Sequence, residues 1–303
     1  MKIGTGKTIV IAGLVLAVIY APGLMGQGKK MIQIKGSDTM VNLIQILAEE
    51  FMGKTPGAAL AVLGGGSGTG ITAIINNTCD IATHSREWKK KEIDQAWEKG
   101  VQPRFFVAAV DGLSIIVNER NTLDKLTMPQ VGAIYRGEIK NWKAVGGPDM
   151  PISLYGRQSN SGTYTFLQEF VLGNKNYSPD MKEMNGNAQI IEGVLQDAGA
   201  ISYVGVGYVL NSSTRKLRAG LKVLNISKDE KSEAFSPLEK TNIDSGHYPI
   251  SRPLYMATNG KPSGMKADFI RFVIGPEGQK IVEREGFFAL GGKYADGNEK
   301  NFK

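Results

Sequence analysis

The side chains best suited to chemistry in this chain lie in the segment 157–163, which reads R-Q-S-N-S-G-T. Serine and asparagine are common helix N-caps and an amphipathic run follows, so a helix is predicted to begin near Gly162. Apolar side chains fall on roughly one face of this helix: Phe166, Phe170 and Val171. The first amides of a helix point free, glycine lets a ligand approach the backbone, and the planar guanidinium of Arg157 suits a tetrahedral oxyanion. The segment therefore predicts an anion-binding turn, with an ordinary capped helix beside a surface arginine as the alternative.

A second turn of this kind follows the predicted first strand, M-I-Q-I-K, and reads G-S-D-T-M. The residues after it place apolar side chains at helical spacing: Leu43, Ile44, Leu47 and Phe51. Such a stripe predicts a helix that packs against a sheet. We expect Ser37 or Asp38 to cap this helix, and Gly53 with Pro56 to end it.

A third turn, G-G-G-S-G-T-G at 64–70, separates a short strand from a helical stretch. Flexible linkers seldom lie between a strand and a helix this close together, which favours a tight anion-binding turn. The spacing excludes G-x-G-x-x-G, because Ser67 and Thr69 stand where glycine is needed, and it excludes G-x-S-x-G. The segment G-T-G-K-T at 4–8 mimics a phosphate-binding loop, but Met1 stands where the first glycine must be, so it belongs to the leader.

Strands alternate with helices along the chain, which predicts an α/β fold. Two continuous apolar runs, R-F-F-V-A-A-V and G-L-S-I-I-V-N, meet at Asp111–Gly112 and predict buried strands that cross between two lobes. The first lobe is expected to comprise 31–111 plus 248–303, and the second 112–247. The second lobe is expected to include a helix near 128–135 and a polar surface excursion at 227–247. Helices within 265–285 are expected to close the first lobe. In such sheets helix N-termini gather at the carboxyl ends of the strands, so the three turns are predicted to face one point.

The first 30 residues read as a secretory signal, in which a charged start with Lys2 and Lys7 precedes an apolar core and a small-residue exit. Cleavage is expected after Gly26; an uncleaved N-terminal anchor is the alternative, because the apolar stretch is nearly long enough to span a membrane. The 303 residues are 42% hydrophobic and 21% charged, which is ordinary globular composition for two lobes. The net charge of +7 becomes +5 when Lys2 and Lys7 are removed, an excess that does not indicate nucleic-acid binding.

Few residues suit catalysis or metal binding. The chain has two histidines, His84 and His247, and one cysteine, Cys79, which is expected to be a small buried side chain. No spacing typical of a metal site occurs, so neither a metal nor a cofactor is predicted. His84 beside Ser85 suggests a base and a nucleophile, but no orienting acid is recognisable, and His247 is expected on the surface. A solvated helix is expected after His84 and Ser85, with Trp88 and Trp97 as its packing residues.

Four segments together resemble the ligand-binding segments of the PstS-like phosphate-binding proteins of bacterial ABC importers: K-G-S-D-T-M, G-G-G-S-G-T-G-I, D-I-A-T-H-S-R and R-Q-S-N-S-G-T-Y. Further matches include I-Y-R-G-E-I-K-N-W-K-A-V-G-G-P-D and Y-P-I-S-R-P-L-Y, so the resemblance covers about residues 31–290. Each motif alone is weak, but their order and spacing are specific. The resemblance implies a two-lobed periplasmic-binding-protein-like fold, with a mixed sheet flanked by helices in each lobe and the ligand in the cleft between them.

The resemblance also implies which residues contact phosphate. The first phosphate-binding turn of the family aligns with Ser37, Asp38 and Thr39, and the second with Ser67. The family's polar group near the hinge aligns with Ser85, next to Arg86. The clamp of the other lobe falls on Arg157, Ser161, Gly162 and Thr163. The best-known members have an aspartate in place of Ser85, whose carboxylate accepts the proton of hydrogen phosphate and helps to reject sulfate. Asp38 is a candidate for that acceptor, with a plain N-cap as the alternative; Arg86 either contacts the ligand or orients Asp80 or another acid.

The expected function is therefore an exported, non-enzymatic receptor that captures inorganic phosphate and delivers it to a membrane-embedded ABC permease. It is expected to act as a monomer in the periplasm, or to be held at the inner membrane by an uncleaved leader. A receptor for another tetrahedral oxyanion, such as sulfate, is one alternative. An exported phosphoesterase is another, and would need a metal or an activated nucleophile.

Overall fold

The computed structural model describes residues 31–211, 213–214 and 216–303. The predicted leader at 1–26 and its G-T-G-K-T segment lie outside these residues. The strands in chain order are β1 (Ile32–Gly36), β2 (Leu60–Leu63), β3 (Ile81–His84), β4 (Pro103–Gly112), β5 (Ser114–Asn118), β6 (Lys125–Thr127), β7 (Ser153–Arg157), β8 (Lys182–Met184), β9 (Ala200–Val204), β10 (Leu221–Val223), β11 (Asn225–Ser227) and β12 (Ser251–Asn259).

The helices in chain order are α1 (Val41–Lys54), α2 (Ser67–Ile75), α3 (Lys90–Glu98), α4 (Met128–Tyr135), α5 (Gly162–Phe170), α6 (Asn187–Gln196), α7 (Lys240–Asp244), α8 (Gly264–Ile274), α9 (Pro276–Arg284) and α10 (Gly292–Asn301). Two short 3-10 helices span Trp142–Val145 and Val206–Tyr208. The predicted helix at 128–135 and the predicted start of a helix at Gly162 are both confirmed.

The first sheet has the order β2-β1-β3-β12-β4, with β12 antiparallel to both of its neighbours and the other pairs parallel. Helix α1 packs on it through a buried stripe that includes Leu43, Ile44 and Leu47, as its spacing predicts. Burying each such side chain contributes about 1.5–3 kcal/mol. Helices α8, α9 and α10 pack against α1 or β4, so the end of the chain returns to this sheet. We call this sheet and its helices the first lobe.

The second sheet has the order β10-β5-β9-β7-β8, with parallel pairs around β7 and antiparallel pairs around β5. Helices α5 and α6 pack on it. We call this sheet and its helices the second lobe. The chain leaves the first sheet at Gly112, enters the second at Ser114, and returns through β12. The fold is the expected two-lobed α/β arrangement of mixed sheets; the lobe boundaries at 111/112 and 247/248 stay predictions.

The apolar face predicted on α5 is confirmed for Phe166 and Phe170, whose rings stack, but it is not the most buried face of the helix. The residues of this helix that are buried are Gly162, Thr163, Thr165 and Leu167, whereas Phe170 is 51% exposed. Phe170 instead stacks on Phe166 at 5.4 Å between ring centroids. Small residues replace aromatic ones on the inward face because the start of α5 approaches the first lobe closely.

The expectation that Trp97 packs inward is also wrong: it is 57% exposed, whereas Trp88 is buried as expected. Cys79 is buried, which raises the pKa of its thiol to about 12, and His247 is exposed, both as expected. The polar excursion at 227–247 contains some regular structure. It begins at the end of β11, which pairs with β6, and its helix α7 buries Ile243.

Within residues 31–211, 213–214 and 216–303, no helix combines the length and the hydropathy that crossing a membrane requires.

Candidate functional site

The first of the three turns follows β1, where Gly36 has a φ of 143° that favours glycine. A side chain at this position would collide with the carbonyl oxygen of Thr83. The amide of Ser37 donates to that carbonyl and to the Thr83 hydroxyl, both at 2.9 Å. The Ser37 hydroxyl itself is buried and has no hydrogen-bond partner among the described residues. A buried hydroxyl costs free energy unless it is paired, so this atom is suited to a ligand.

Asp38 joins the two lobes and does not cap α1. The N-cap of α1 is Met40, which makes no side-chain cap hydrogen bond, so the expected capping by Ser37 or Asp38 is wrong. One oxygen of the Asp38 carboxylate accepts from the Gly65 amide at 2.6 Å, and the other accepts from Arg157 Nη2. The physical reason is that a guanidinium and an amide together stabilise the carboxylate more than one helix amide would.

The backbone carbonyl of Asp38 is held from the second lobe as well. It accepts from Tyr208 Oη at 2.6 Å and from Asn187 Nδ2 at 3.1 Å. Burial raises the pKa of Tyr208 to about 12, so its phenol stays protonated and donates. The first turn is therefore fixed by contacts from both lobes.

The glycine-rich segment at 64–70 forms a compact turn at 64–66 and the first turn of α2 from Ser67 onwards, and the flexible-linker alternative is wrong. The Gly66 amide donates to the Gly36 carbonyl at 2.9 Å, which joins this turn to the first. The Gly68 amide donates to the Asn160 carbonyl at 3.0 Å, and Asn160 Nδ2 donates to the Gly65 carbonyl at 2.9 Å. These two contacts join it to the turn of the second lobe. The three turns thus meet, as their sequences predict.

Four hydroxyls approach each other in two pairs where α2 and α5 begin. Ser67 Oγ accepts from the Ser85 amide at 3.0 Å and lies 3.3 Å from Ser85 Oγ. Thr39 Oγ1 and Thr163 Oγ1 are 2.9 Å apart, and either can donate. All four residues are almost fully buried. Such a cluster offers several O–H donors to one small ligand.

Helix α5 directs its N-terminus at this cluster. Ser161 caps the helix, and its hydroxyl accepts from the amides of Thr163 and Tyr164. Gly162 follows, where a Cβ would overlap Ser67 Oγ and lie 2.8 Å from Ser85 Oγ. The absence of a side chain therefore lets the two lobes approach at this point. Helix N-termini carry a partial positive charge that favours anions.

Arg157 supplies a fixed positive charge and is only 1% exposed. Its amide donates to Tyr203 Oη at 3.0 Å, and its Nε donates to Gln158 Oε1 at 3.1 Å. Burial raises the pKa of Tyr203 to about 12. Because its Nη2 also donates to the Asp38 carboxylate, the guanidinium is held in one orientation. This preorganisation is what recognition of an oxyanion needs.

Sequence reasoning missed a second buried ion pair, between Arg252 of β12 and Asp111 of β4. Both residues are at most 2% exposed, and Asp111 Oδ2 accepts from Arg252 Nη2 at 2.9 Å and from Nε at 3.1 Å. Burial lowers the pKa of Arg252, and the neighbouring Asp111 acts in the opposite direction. A signal was available, because charged residues inside apolar strands are rarely buried unless they are paired.

Arg86 is turned towards another acid. Its Nη1 and Nη2 donate to the two carboxylate oxygens of Glu92 at 2.8 and 2.7 Å. Asp80 is engaged elsewhere and accepts from the Gln33 amide at 2.9 Å. Of the predicted contact residues, Arg86 is therefore the one whose described contacts point away from the hydroxyl cluster.

The histidine next to Ser85 is not placed to act as a base. His84 is buried, and its Nδ1 lies 2.7 Å from the Arg86 carbonyl. Its ring stacks on Tyr255 at 4.9 Å, and burial lowers its pKa to about 4. Among the described residues, no group of three or more His, Cys, Asp or Glu could hold a metal ion. The site thus offers hydroxyls, amides and guanidinium groups, which are the kinds of group suited to an oxyanion.

Comparisons with known proteins agree with this chemistry. The PBP superfamily domain matches residues 24–277. Phosphate-binding protein PstS of Pseudomonas aeruginosa is 32% identical over 279 residues, which cover 86% of this chain and 83% of that protein. This chain belongs to the PstS-like proteins of the PBP superfamily.

Two solved structures of phosphate-transport proteins share the fold. A Clostridium perfringens protein with bound phosphate has a TM-score of 0.74 and 26% identity, with 86% of this chain and all of that chain covered. An ABC-type phosphate transport receptor of Vibrio cholerae has a TM-score of 0.68 and 27% identity over the same shares. Both similarities extend across the two lobes.

Proposed function

We propose that this PstS-like protein captures inorganic phosphate between its lobes and delivers it to a membrane-embedded ABC permease. The observation that carries the proposal is the meeting of three turns from two lobes beside the buried guanidinium of Arg157. Relatives over 30% identical are phosphate-binding proteins by name. The buried, unpartnered Ser37 hydroxyl supports a ligand at this point.

The proposed contacts are those expected from the sequence except Arg86: Ser37, Asp38, Thr39, Ser67, Ser85, Arg157, Ser161, Gly162 and Thr163. Hydrogen bonds to a charged group contribute about 1.5–3 kcal/mol each. Micromolar binding corresponds to a binding free energy of about 8 kcal/mol. Several of these hydrogen bonds together can supply it after the cost of desolvation is subtracted. No catalytic step is required of any of them, and the protein acts as a receptor and not as an enzyme.

We propose further that the protein works outside the inner membrane as a monomer, with its leader either cleaved after Gly26 or kept as an anchor. Transport relatives such as the Vibrio cholerae receptor support the export and the permease. Size-exclusion chromatography with light scattering tests the monomer. N-terminal sequencing of protein expressed with its leader tests the cleavage.

Calorimetric titration of the mature protein with phosphate, with and without sulfate, tests the binding function. We expect heat that saturates at micromolar to tens of micromolar phosphate and is unaffected by excess sulfate at neutral pH. No heat in this range would contradict the proposal. Displacement of phosphate by sulfate would instead support a general receptor for tetrahedral oxyanions.

The variant R157A is expected to bind phosphate at least about ten-fold more weakly, because it removes a charge-assisted donor from the clamp. The control R284A removes another arginine that pairs with a neighbouring acid, Glu285, at the end of α9. It should bind as the wild type does. Normal binding by R157A would mean that the site lies elsewhere.

A further inference from the structure

Arg252 stands out as a charged residue that the proposed phosphate contacts do not use. It comes from the first lobe, and its guanidinium is buried together with Asp111. Buried ion pairs add little to stability, since apolar residues of similar size often serve as well. The position of this pair therefore points to a role beyond holding the sheet together.

The guanidinium of Arg252 donates to two residues of the proposed site, one in each lobe. Its Nη1 donates to the Ser85 carbonyl at 3.0 Å in the first lobe. Its Nη2 donates to Thr163 Oγ1 at 3.0 Å in the second lobe. Asp111 fixes the guanidinium from behind and also accepts from the Val206 amide at 2.8 Å. Arg252 thus joins the hydroxyl cluster to both sheets.

Helix α5 meets Arg252 through two side chains one turn apart, Thr163 and Phe166. The Phe166 ring lies over the guanidinium, with 5.1 Å between Cζ and the ring centroid. Residues three apart on a helix share a face, so both contacts form when α5 approaches the first lobe. A cation over an aromatic face is attracted to it, most strongly when water is excluded.

The contact with Thr163 sets the direction of its hydroxyl proton. A guanidinium only donates, so Thr163 Oγ1 must accept from Arg252. Thr163 Oγ1 also shares one hydrogen bond with Thr39 Oγ1, which uses one of the two hydroxyl protons. The remaining proton of this pair has to point to another acceptor. An unprotonated oxygen of a bound oxyanion is such an acceptor.

We propose that Arg252, held by Asp111, is the positioning residue on which α5 docks and which directs the Thr39–Thr163 hydroxyl pair to donate to the bound anion. This inference rests on the proposed phosphate binding. Arg252 acts through Thr163, and its own charge is balanced by Asp111. Arg157 is paired as well, with Asp38, but it is the arginine proposed to contact the ligand, together with the helix N-termini.

A double-mutant cycle for phosphate affinity tests the inference, with R252K, T163V and the double variant measured by calorimetry. Lysine keeps a positive charge beside Asp111 but loses the planar fork. Valine keeps the shape of threonine but loses the hydroxyl. We expect each single variant to bind phosphate at least about ten-fold more weakly, and the double variant to lose no more than about three-fold further.

The control R271K changes an arginine that likewise pairs with an acid, Glu299, and lies over an aromatic ring, Phe302, but on α8. It should retain wild-type affinity. Because T163V leaves the Arg252–Asp111 pair intact, it remains informative if R252K folds poorly. If the wild type binds phosphate but the double variant loses affinity by the product of the two single losses, this inference alone is overturned. A wild-type protein that binds no phosphate would overturn the proposed function together with it.

Discussion

At the scale of single residues, the site depends on charges that are fixed before a ligand arrives. Asp38 illustrates this, because each of its carboxylate oxygens accepts from a different segment, Gly65 and Arg157. A carboxylate that holds a guanidinium in place reduces the conformational entropy lost on binding. The same carboxylate retains lone pairs that suit the proton of hydrogen phosphate, the acceptor role expected from the sequence.

The variant D38N is expected to bind phosphate at least about ten-fold more weakly and to discriminate less against sulfate. An amide cannot balance Arg157, and its NH₂ group cannot accept a proton from the ligand. Calorimetry with phosphate and with sulfate measures both effects. The control D80N changes another aspartate that accepts a backbone amide, from Gln33, in the same lobe. Unchanged affinity with reduced stability would indicate a purely structural Asp38.

His84 gives the protein a pH dependence of stability that is unrelated to phosphate. Its pKa is lowered from 6.5 to about 4 by burial, so the unfolded chain binds more protons between these values. The contribution of neutral His84 to the free energy of unfolding is fully present above about pH 6.5. It is lost as the pH falls towards 4. The difference of about 2.5 pH units corresponds to at most about 3 kcal/mol.

The variant H84F should therefore lose less stability than the wild type between pH 7 and pH 4.5. Urea unfolding at several pH values measures the slope of the free energy of unfolding. The variant H247Q, which removes the other, exposed histidine, is the control for loss of an imidazole. An equal slope in H84F and the wild type would show that His84 does not titrate in this range on unfolding.

At the scale of elements, the start of α5 approaches the start of α2 closely across the two lobes. It depends on Gly162, where a Cβ would overlap Ser67 Oγ. Rotation of the serine side chain would move Oγ, but the added carbon would also lie 2.8 Å from Ser67 Cβ, so the backbone must shift or the lobes must separate. The contact therefore makes Gly162 a requirement of the closed arrangement and not of either lobe alone.

The variant G162A is expected to bind phosphate at least about ten-fold more weakly while the free protein unfolds near its wild-type temperature. Calorimetry and thermal unfolding together measure this contrast. The control G53A places a methyl group in α1, where nothing lies within 4 Å of the added carbon. It should leave affinity unchanged and stabilise the helix by about 0.5–1 kcal/mol. Wild-type affinity of G162A would contradict a closed site at this glycine.

Local pattern predicted the elements well where one residue type decides the structure. The helix at Met128–Tyr135, the start of α5 and the compact glycine-rich turn all follow from caps, spacing and glycine. The expected cap of α1 was wrong, because contacts from the other lobe to Asp38 outweigh the local preference.

The buried pair of Arg252 and Asp111 could not be predicted as a pair, because 141 positions separate its members in the chain. Each residue alone signals a buried charge within an apolar strand, but only the sheet pairing of β12 with β4 brings them together. The same holds for Asn160, whose contacts with Gly65 and Gly68 depend on how the lobes meet. The sequence therefore predicts the anion-binding groups more reliably than it predicts the residues that hold those groups in position.

At the scale of the whole molecule, a set of polar contacts joins the two lobes at the proposed site. These include Asp38 with Arg157, Thr39 with Thr163, and Arg252 with Thr163. Closure at this point costs desolvation of charged groups, and we expect a ligand that pairs with their donors to complete it. A ligand bound in this way contacts both lobes at once.

Phosphate should consequently stabilise the whole protein in one cooperative transition. A ligand at 100 times its dissociation constant adds about 2.7 kcal/mol to the free energy of unfolding. Each kcal/mol raises the melting temperature of a chain of this size by about 2–4 °C, so a shift of about 5–10 °C is expected. Differential scanning calorimetry at increasing phosphate measures it, with sulfate and the R157A variant as controls that should shift little. Two separate transitions, of which phosphate moves only one, would show that the ligand contacts a single lobe and that the cleft between the sheets is not its site.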